Sequence, residues 1–142
     1  MSKKVDKGDF LMLKEFSIDT QKEGIYDITK EVKEAIRESK IKDGIAIIFC
    51  PHTSSAITIN ENADPHVLHD LLLGMNLAYP ERKEFKHSEL NSHAHLKSGT
   101  FGCDQTIIIK DGFPILGTWQ SIMFCEFDGP RTRKYYIKVI AG

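Results

Sequence analysis

The chain has 142 residues, a net charge of −1 with its histidines neutral, 41% hydrophobic residues and 27% charged residues. This is the length and composition of one globular domain that can hold a core without disulfide or metal, which excludes a disordered chain and a coiled coil. The lack of basic excess excludes nucleic acid and an anionic membrane surface as main partners, and the charged start MSKKVDKGDF has no apolar stretch of the signal-peptide kind, so a soluble cytoplasmic protein without a membrane span is expected.

Residues 1 to 8 read as a loose charged lead. The segment 10 to 19, FLMLKEFSID, mixes apolar and polar residues and predicts a strand. In EGIYDITKEVKEAIRESKIKDG, Ile28, Val32, Ala35 and Ile36 fall at helical spacing; Asp27 is the expected cap, with a stop near Ser39 or Lys40. GIAIIFC (44 to 50) is a nearly continuous apolar run and predicts a strand buried on both faces. AITIN (56 to 60) predicts a strand by alternation. Asp64-Pro65 then opens a helix, with Val67, Leu68, Leu71, Leu72 and Met75 as its buried stripe. Residues 79 to 91 read as a polar loop, and 92 to 102 as a short helix. Asp111-Gly112 marks a hairpin between strands at 104 to 110 and 113 to 119. Two more strands follow at 120 to 127 and 133 to 140. The pattern predicts a single α+β domain over 1–142, a mostly antiparallel mixed β-sheet with two or three helices.

The three cysteines, Cys50, Cys103 and Cys125, form no C-x-x-C and read as reduced thiols packed as small hydrophobes, a catalytic thiol being the other option. Of the six histidines, His66 and His69 share a helix face and are expected toward solvent or satisfied at the helix edge, a helix-borne metal site being the other option. His52 leaves the end of a buried strand beside Thr53, Ser54 and Ser55. Such a turn either caps itself with its own hydroxyls or holds phosphate through backbone donors. His87, Asn91 and His95 recur every four residues; with His52 they are compatible with a three-imidazole metal site with an open fourth position. Glu126 and Asp128 share one face of a strand. Gly129-Pro130 turns the chain, and Arg131 and Arg133 follow as candidate phosphate clamps. These charges also fit a solvated edge-strand hairpin. Trp119 offers a flat surface for stacking or for the core.

Three segments together, HTSSAITINENADP (52 to 65), His87 to Lys97, and LGTWQSIMFCEFDGPR (116 to 131), resemble the YjbQ-like proteins, the secondary thiamine-phosphate synthase family. The resemblance runs from about residue 10 to residue 140. It implies the YjbQ-like α+β fold, a homotrimer, and a transferase activity that joins a hydroxymethylpyrimidine diphosphate to a thiazole phosphate and releases pyrophosphate, as a secondary activity. On that pattern His52, Asn91 and Glu126 are the catalytic candidates. Thr53, Ser54, Asn60, Asn62, Asp64, Lys97, Trp119, Gln120 and Arg131 are the substrate-binding candidates, with Asn60 to Asp64 as one wall of the pocket. His52, His87 and His95 would hold zinc or another divalent metal, and Mg²⁺ would bridge the leaving pyrophosphate. Leu90 departs from the family pattern, which usually has Gly before the Asn, and Ser98 to Phe101 replace a more usual Ala-Ser-Leu-Leu run. Two rival readings stand beside the synthase: a metal-dependent hydrolase of a small phosphorylated metabolite, and a metabolite-binding protein without catalysis.

Overall fold

A computed structural model describes residues 2–4 and 11–142. Apart from Ser2–Lys4, the lead expected at 1 to 8 lies outside the described residues. Nine strands and three helices follow one another along them. They are β1 (Ser2–Lys4), β2 (Leu11–Asp19), β3 (Gly24–Asp27), α1 (Thr29–Ser39), β4 (Gly44–Phe49), β5 (Ser55–Glu61), α2 (Pro65–Ala78), α3 (Ser92–Phe101), β6 (Asp104–Lys110), β7 (Phe113–Pro114), β8 (Gln120–Glu126) and β9 (Thr132–Ala141). The strands make two sheets, where a single sheet was expected. The larger runs β1-β2-β9-β4-β6-β7 and the smaller β3-β8-β5. Among the described residues the strand pairings are antiparallel.

Period-2 alternation aims one side of each sheet at a shared core. Ala46, Ile48, Ile137 and Val139 of the large sheet meet Ile57, Ile122 and Phe124 of the small one, and Val32 and Ile36 of α1 join them. One core across both sheets makes the described chain a single α+β unit. A second cluster, Ala56, Cys125, Phe127 and Ala94, lies on the other side of the small sheet, where Leu72 of α2 and Phe101 of α3 pack. Among the described residues no helix is long and apolar enough to cross a membrane.

The turn chemistry acts as expected at Asp111-Gly112, where φ of 54° and 82° gives the paired left-handed turn that suits a twisted hairpin. Asp64 caps α2 by accepting the His66 N–H at 2.9 Å. Asp27 stands one residue before the cap position of α1 and accepts the Thr29 N–H at 2.9 Å.

Several expectations are corrected. β4 is buried on one face only: Ala46 and Ile48 are inside, whereas Phe49 is 41% exposed. The predicted stripe of α2 does not form a core, because α2 lies against the outside of the small sheet and has no buried residue. The strand predicted at 113 to 119 shrinks to Phe113–Pro114. β3 belongs to a stretch expected to lead into the first helix; its four residues are held by β8. Glu126 ends a central strand of the small sheet, so the edge-hairpin alternative does not hold.

Candidate functional site

The antiparallel partners β5 and β8, far apart in the chain, run the length of the small sheet, with Ser55 opposite Glu126 at one end and Glu61 opposite Gln120 at the other. Six residue steps separate these ends, about 20 Å at the usual strand rise. The residues expected in one pocket divide between them.

At the first end, Glu126 is fully buried and accepts four donors. Arg133 Nε and Nη2 reach its two carboxylate oxygens at 2.8 and 2.6 Å. The Thr20 hydroxyl donates at 2.6 Å and the Asp128 N–H at 3.0 Å. Arg133 also donates to Ser54 Oγ at 2.8 Å, which ties the turn after β4 to this pair. Burial by itself would raise the Glu126 carboxyl; the bonds from Arg133 and Thr20 outweigh it and hold the group below its ordinary range. An enclosed carboxylate with every lone pair engaged orders the site from beneath. It does not face a ligand, and Arg133, 4% exposed, is likewise closed off. Gly129 lets the chain close over this pair, since a Cβ there would stand 1.9 Å from the Gln21 carbonyl oxygen.

Above it stand the imidazoles. The Lys134 N–H donates to His52 Nε2 at 2.9 Å, so the neutral ring carries its proton on Nδ1. Burial, then the nearby Arg133 charge, push the His52 pKa down and keep the ring neutral. His95 Nδ1 lies 2.8 Å from the Thr53 carbonyl oxygen. A carbonyl only accepts, so Nδ1 carries the proton, and in the neutral tautomer Nε2 has the open lone pair. The His87 ring is 5.4 Å from the His95 ring, tilted by 59°. Asn91, at the start of α3, is 7% exposed. Its amide nitrogen donates to Asp128 Oδ2 at 2.8 Å, while its Oδ1 is buried and has no donor. Arg131 closes the set, donating from Nη2 to Asp128 Oδ2 at 2.9 Å and from Nε to the Asp128 carbonyl at 2.8 Å, with its side chain half exposed.

The three-imidazole set is not assembled in this arrangement. Among the described residues no three His, Cys, Asp or Glu side chains stand close enough to hold a metal ion. His52 Nε2 is engaged by backbone; His87 and His95 are the pair that meet.

At the other end are Asn60, Asn62, Asp64, Trp119 and Gln120. Asn62 donates to Asp27 Oδ2 at 2.9 Å, and its N–H reaches the Trp119 carbonyl at 3.3 Å. Gln120 Oε1 accepts the Gly117 N–H at 2.8 Å, Asn60 Oδ1 accepts the Glu61 N–H at 2.7 Å, and Asp64 is committed to its helix cap. The Trp119 side chain is free of the core, the residue being 64% exposed. An open groove of about 1080 Å³ adjoins this end, between α1 and the 111–121 segment, with Asp27, Lys33, Arg37, Lys42 and Gln120 on its walls. The wall expected from Asn60 to Asp64 is therefore not a wall of the His52 site within one chain.

Lys97 is elsewhere again. It is 2% exposed, and its ammonium donates to Asn76 Oδ1 at 2.5 Å and to His93 Nδ1 at 3.2 Å. Burial pushes its pKa down, opposed by Glu23 and Glu81. It ties α2 to α3 and is not an exposed cation for phosphate. His66 and His69 point to solvent beside Asp64 and Asp70. Cys50 and Cys125 are buried as expected, whereas Cys103 is exposed.

Thr20 and Asn76 were not singled out from the sequence, and Asp27 was expected only as a helix cap. Thr20 bonds Glu126 and Arg131, Asn76 bonds Glu23 and Lys97, and Asp27 also accepts from Asn62. These partners are distant in the chain, and no local spacing marks them.

The family model described as "UPF0047 protein YjbQ-like" matches residues 14–142. UPF0047 protein MJ1081 of Methanocaldococcus jannaschii is 56% identical over 130 residues, 91% of this chain and 94% of that one. UPF0047 protein YugU of Bacillus subtilis is 51% identical over 131 residues, 91% and 99% of the two chains. A solved structure of an uncharacterized conserved protein of the yjbq/upf0047 family from Clostridium acetobutylicum matches with a TM-score of 0.87 at 50% identity, covering 89% of this chain and 98% of that one. A YbjQ-like protein of unknown function from Sulfolobus solfataricus matches with a TM-score of 0.89 at 28% identity, covering 93% and 98%. Sequence and fold agree over almost all of the described residues, and the chain belongs to the YjbQ-like UPF0047 family.

Proposed function

We propose that the chain is a transferase of the thiamine-phosphate synthase type, as a side activity, and that it works at the His52–His95–Arg131 end of the small sheet. The observation that carries this reading is the grouping there of a half-exposed guanidinium, a neutral imidazole and a second imidazole with an open lone pair. In the reaction the thiazole nitrogen attacks the pyrimidine methylene carbon, the carbon–oxygen bond to the diphosphate breaks, and the electron pair leaves with pyrophosphate. Such a step needs positive charge at the departing oxygens more than it needs a strong base. Arg131 supplies that charge and Asp128 holds its fork in place. The Thr53 and Ser54 turn orients the leaving group, and Asn91 positions Asp128. Mg²⁺ on the diphosphate, and zinc or another divalent metal on the paired imidazoles of His87 and His95, are the cofactors of this reading; when bound they would add charge at the same oxygens.

The reading includes a homotrimer in the cytoplasm that acts on small phosphorylated metabolites. Support for self-association comes from the outer face of the large sheet. Ile45 lies opposite both Ile108 and Ile140, and Phe49, Ile108 and Ile115 stay exposed on a chain this small. Sedimentation at several concentrations reads the assembly; a monomer throughout removes the trimer.

The activity is tested by incubating the protein with hydroxymethylpyrimidine diphosphate, thiazole phosphate and Mg²⁺ and measuring thiamine phosphate by thiochrome fluorescence. Coupled product that falls at least about tenfold in Arg131→Ala is the expected result, on the scale of one lost charge at an oxyanion. Release of inorganic phosphate without coupled product replaces the synthase with the hydrolase. Tight binding of either substrate with no product leaves a binding protein.

A further inference from the structure

At this end of the sheet one polar atom is out of place. Asn91 is more than nine-tenths buried, and its amide orientation is settled by the Asp128 carboxylate, which takes the nitrogen. The oxygen is thereby turned away from Asp128, buried and without a donor. Buried acceptors in folded proteins are nearly always engaged, so an orphan of this kind calls for a partner. One helical turn on from it, on the same face of α3, is His95.

His95 is prepared in the way metal-binding imidazoles are. Its Nδ1–H is given to a backbone carbonyl, that of Thr53, which sets the tautomer and leaves Nε2 as the donor atom. His87 comes from the loop before α3 and stands beside it, 5.4 Å between ring centres. Its Nε2 is 3.8 Å from the Glu89 carboxylate, too far for a hydrogen bond. Two adjacent imidazoles, one from the loop before α3 and one from its first turn, thus belong to the same helix start as an amide oxygen that has no donor.

We infer that His87, His95 and Asn91 Oδ1 form a binding site for a first-row divalent cation of the Zn²⁺ or Co²⁺ kind, with Asn91 in the place first expected for His52. Two nitrogens with one neutral oxygen suit such a cation better than Mg²⁺ or Ca²⁺, which favour all-oxygen shells. The set is neutral, so the cation keeps its full charge toward an anionic ligand. Asp128 holds Asn91, and Arg131 holds Asp128, so the cation site and the exposed guanidinium are linked through one carboxylate. The inference rests on the reading of this end as a ligand site and does not depend on which reaction takes place there.

The test is a titration of the purified full-length chain with Co²⁺, followed by calorimetry and by the visible absorption of the bound ion. Wild type and His52→Ala should each bind one Co²⁺ per chain with similar affinity. Asn91→Ala should bind at least about tenfold more weakly, the loss expected when a ligand or its support is removed from such a site. Should Asn91→Ala not fold, Asn91→Gln, which moves the oxygen by one methylene, must show the same weakening. Wild-type affinity in both Asn91→Ala and Asn91→Gln, no Co²⁺ binding by the wild type, or loss of binding in His52→Ala would overturn the assignment. Absent thiamine phosphate with Co²⁺ binding intact would sink the reaction alone; the reverse would sink the cation site alone.

Discussion

The two ends of the small sheet are built from the same pair of strands, yet they are held together differently. At the Glu126 end a fully buried carboxylate and a fully engaged guanidinium lie under the site, and the groups above them are fixed through backbone contacts from Thr53 and Lys134. At the Gln120 end the contacts are single, exposed hydrogen bonds, such as Asn62 to Asp27, and Trp119 stands in solvent beside an open groove. A buried ion pair is no strong source of net stability, but removing one partner is costly, so it is a precise way to hold a turn in one position. Exposed amides cost little to lose and let their end of the sheet adapt.

The largest effect that separates the ends is expected from Arg133→Ala. It leaves the Glu126 charge buried without its partner and should cost about 3–5 kcal/mol in chemical denaturation. The same pair predicts the acid limb of stability. The Glu126 carboxyl is held below its unfolded value, so its contribution is fully present above about pH 4.3 and is lost as pH falls through the lower folded value. Glu126→Gln should flatten that acid slope; an unchanged slope would mean that the pair is not the acid-sensitive element. Asn62→Ala, at the open end, should cost about 0.5–1.5 kcal/mol and lie toward the low side because the bond is exposed.

Leu90 offers a sharper probe of the first end. Its φ of 58° is left-handed, a conformation that costs a residue with a Cβ about 1–2 kcal/mol, and it immediately precedes Asn91. Leu90→Gly removes that strain but adds about 0.5–1 kcal/mol of backbone entropy, so a net gain of up to about 1.5 kcal/mol is expected in thermal unfolding. A loss instead would show that the exposed leucine side chain makes contacts that matter. Trp119→Ala should change stability by less than about 0.5 kcal/mol. A Trp119 cost as large as that of Arg133 would erase the contrast between the ends. The pH titration of His52 by NMR is a last, fine measure: burial and the Arg133 charge put its midpoint below the usual value of about 6.5.

Much of the fold could be read in advance because the signals are local. The 3.6-residue spacing of Val32, Ala35 and Ile36, the Asp64-Pro65 start of α2 and the Asp111-Gly112 turn each act through neighbours in the chain. β3 was missed because four residues of no marked pattern become a strand only when β8 supplies their hydrogen bonds. The leucines of α2 were misread for a related reason. Helical spacing shows which residues share a face, but how deeply that face is buried depends on what packs against it.

The polar residues divide in the same way. Their chemistry was legible one by one: His52, His87, His95, Asn91 and Arg131 are ligand-type or anion-type groups in any setting. Their grouping was not. Residues 52 to 64 are continuous in the chain and were expected to form one wall, but the seven-residue strand Ser55–Glu61 puts about 20 Å between its two ends, with His52 before one and Asn62 after the other. Conversely, Thr20 and Arg131, 111 positions apart, are hydrogen-bonded. Residue types and short-range geometry follow from covalent chemistry and turn preferences, which act over a few residues. Convergence depends on strand register and on how two sheets stack, and both come from burying apolar surface across the whole chain.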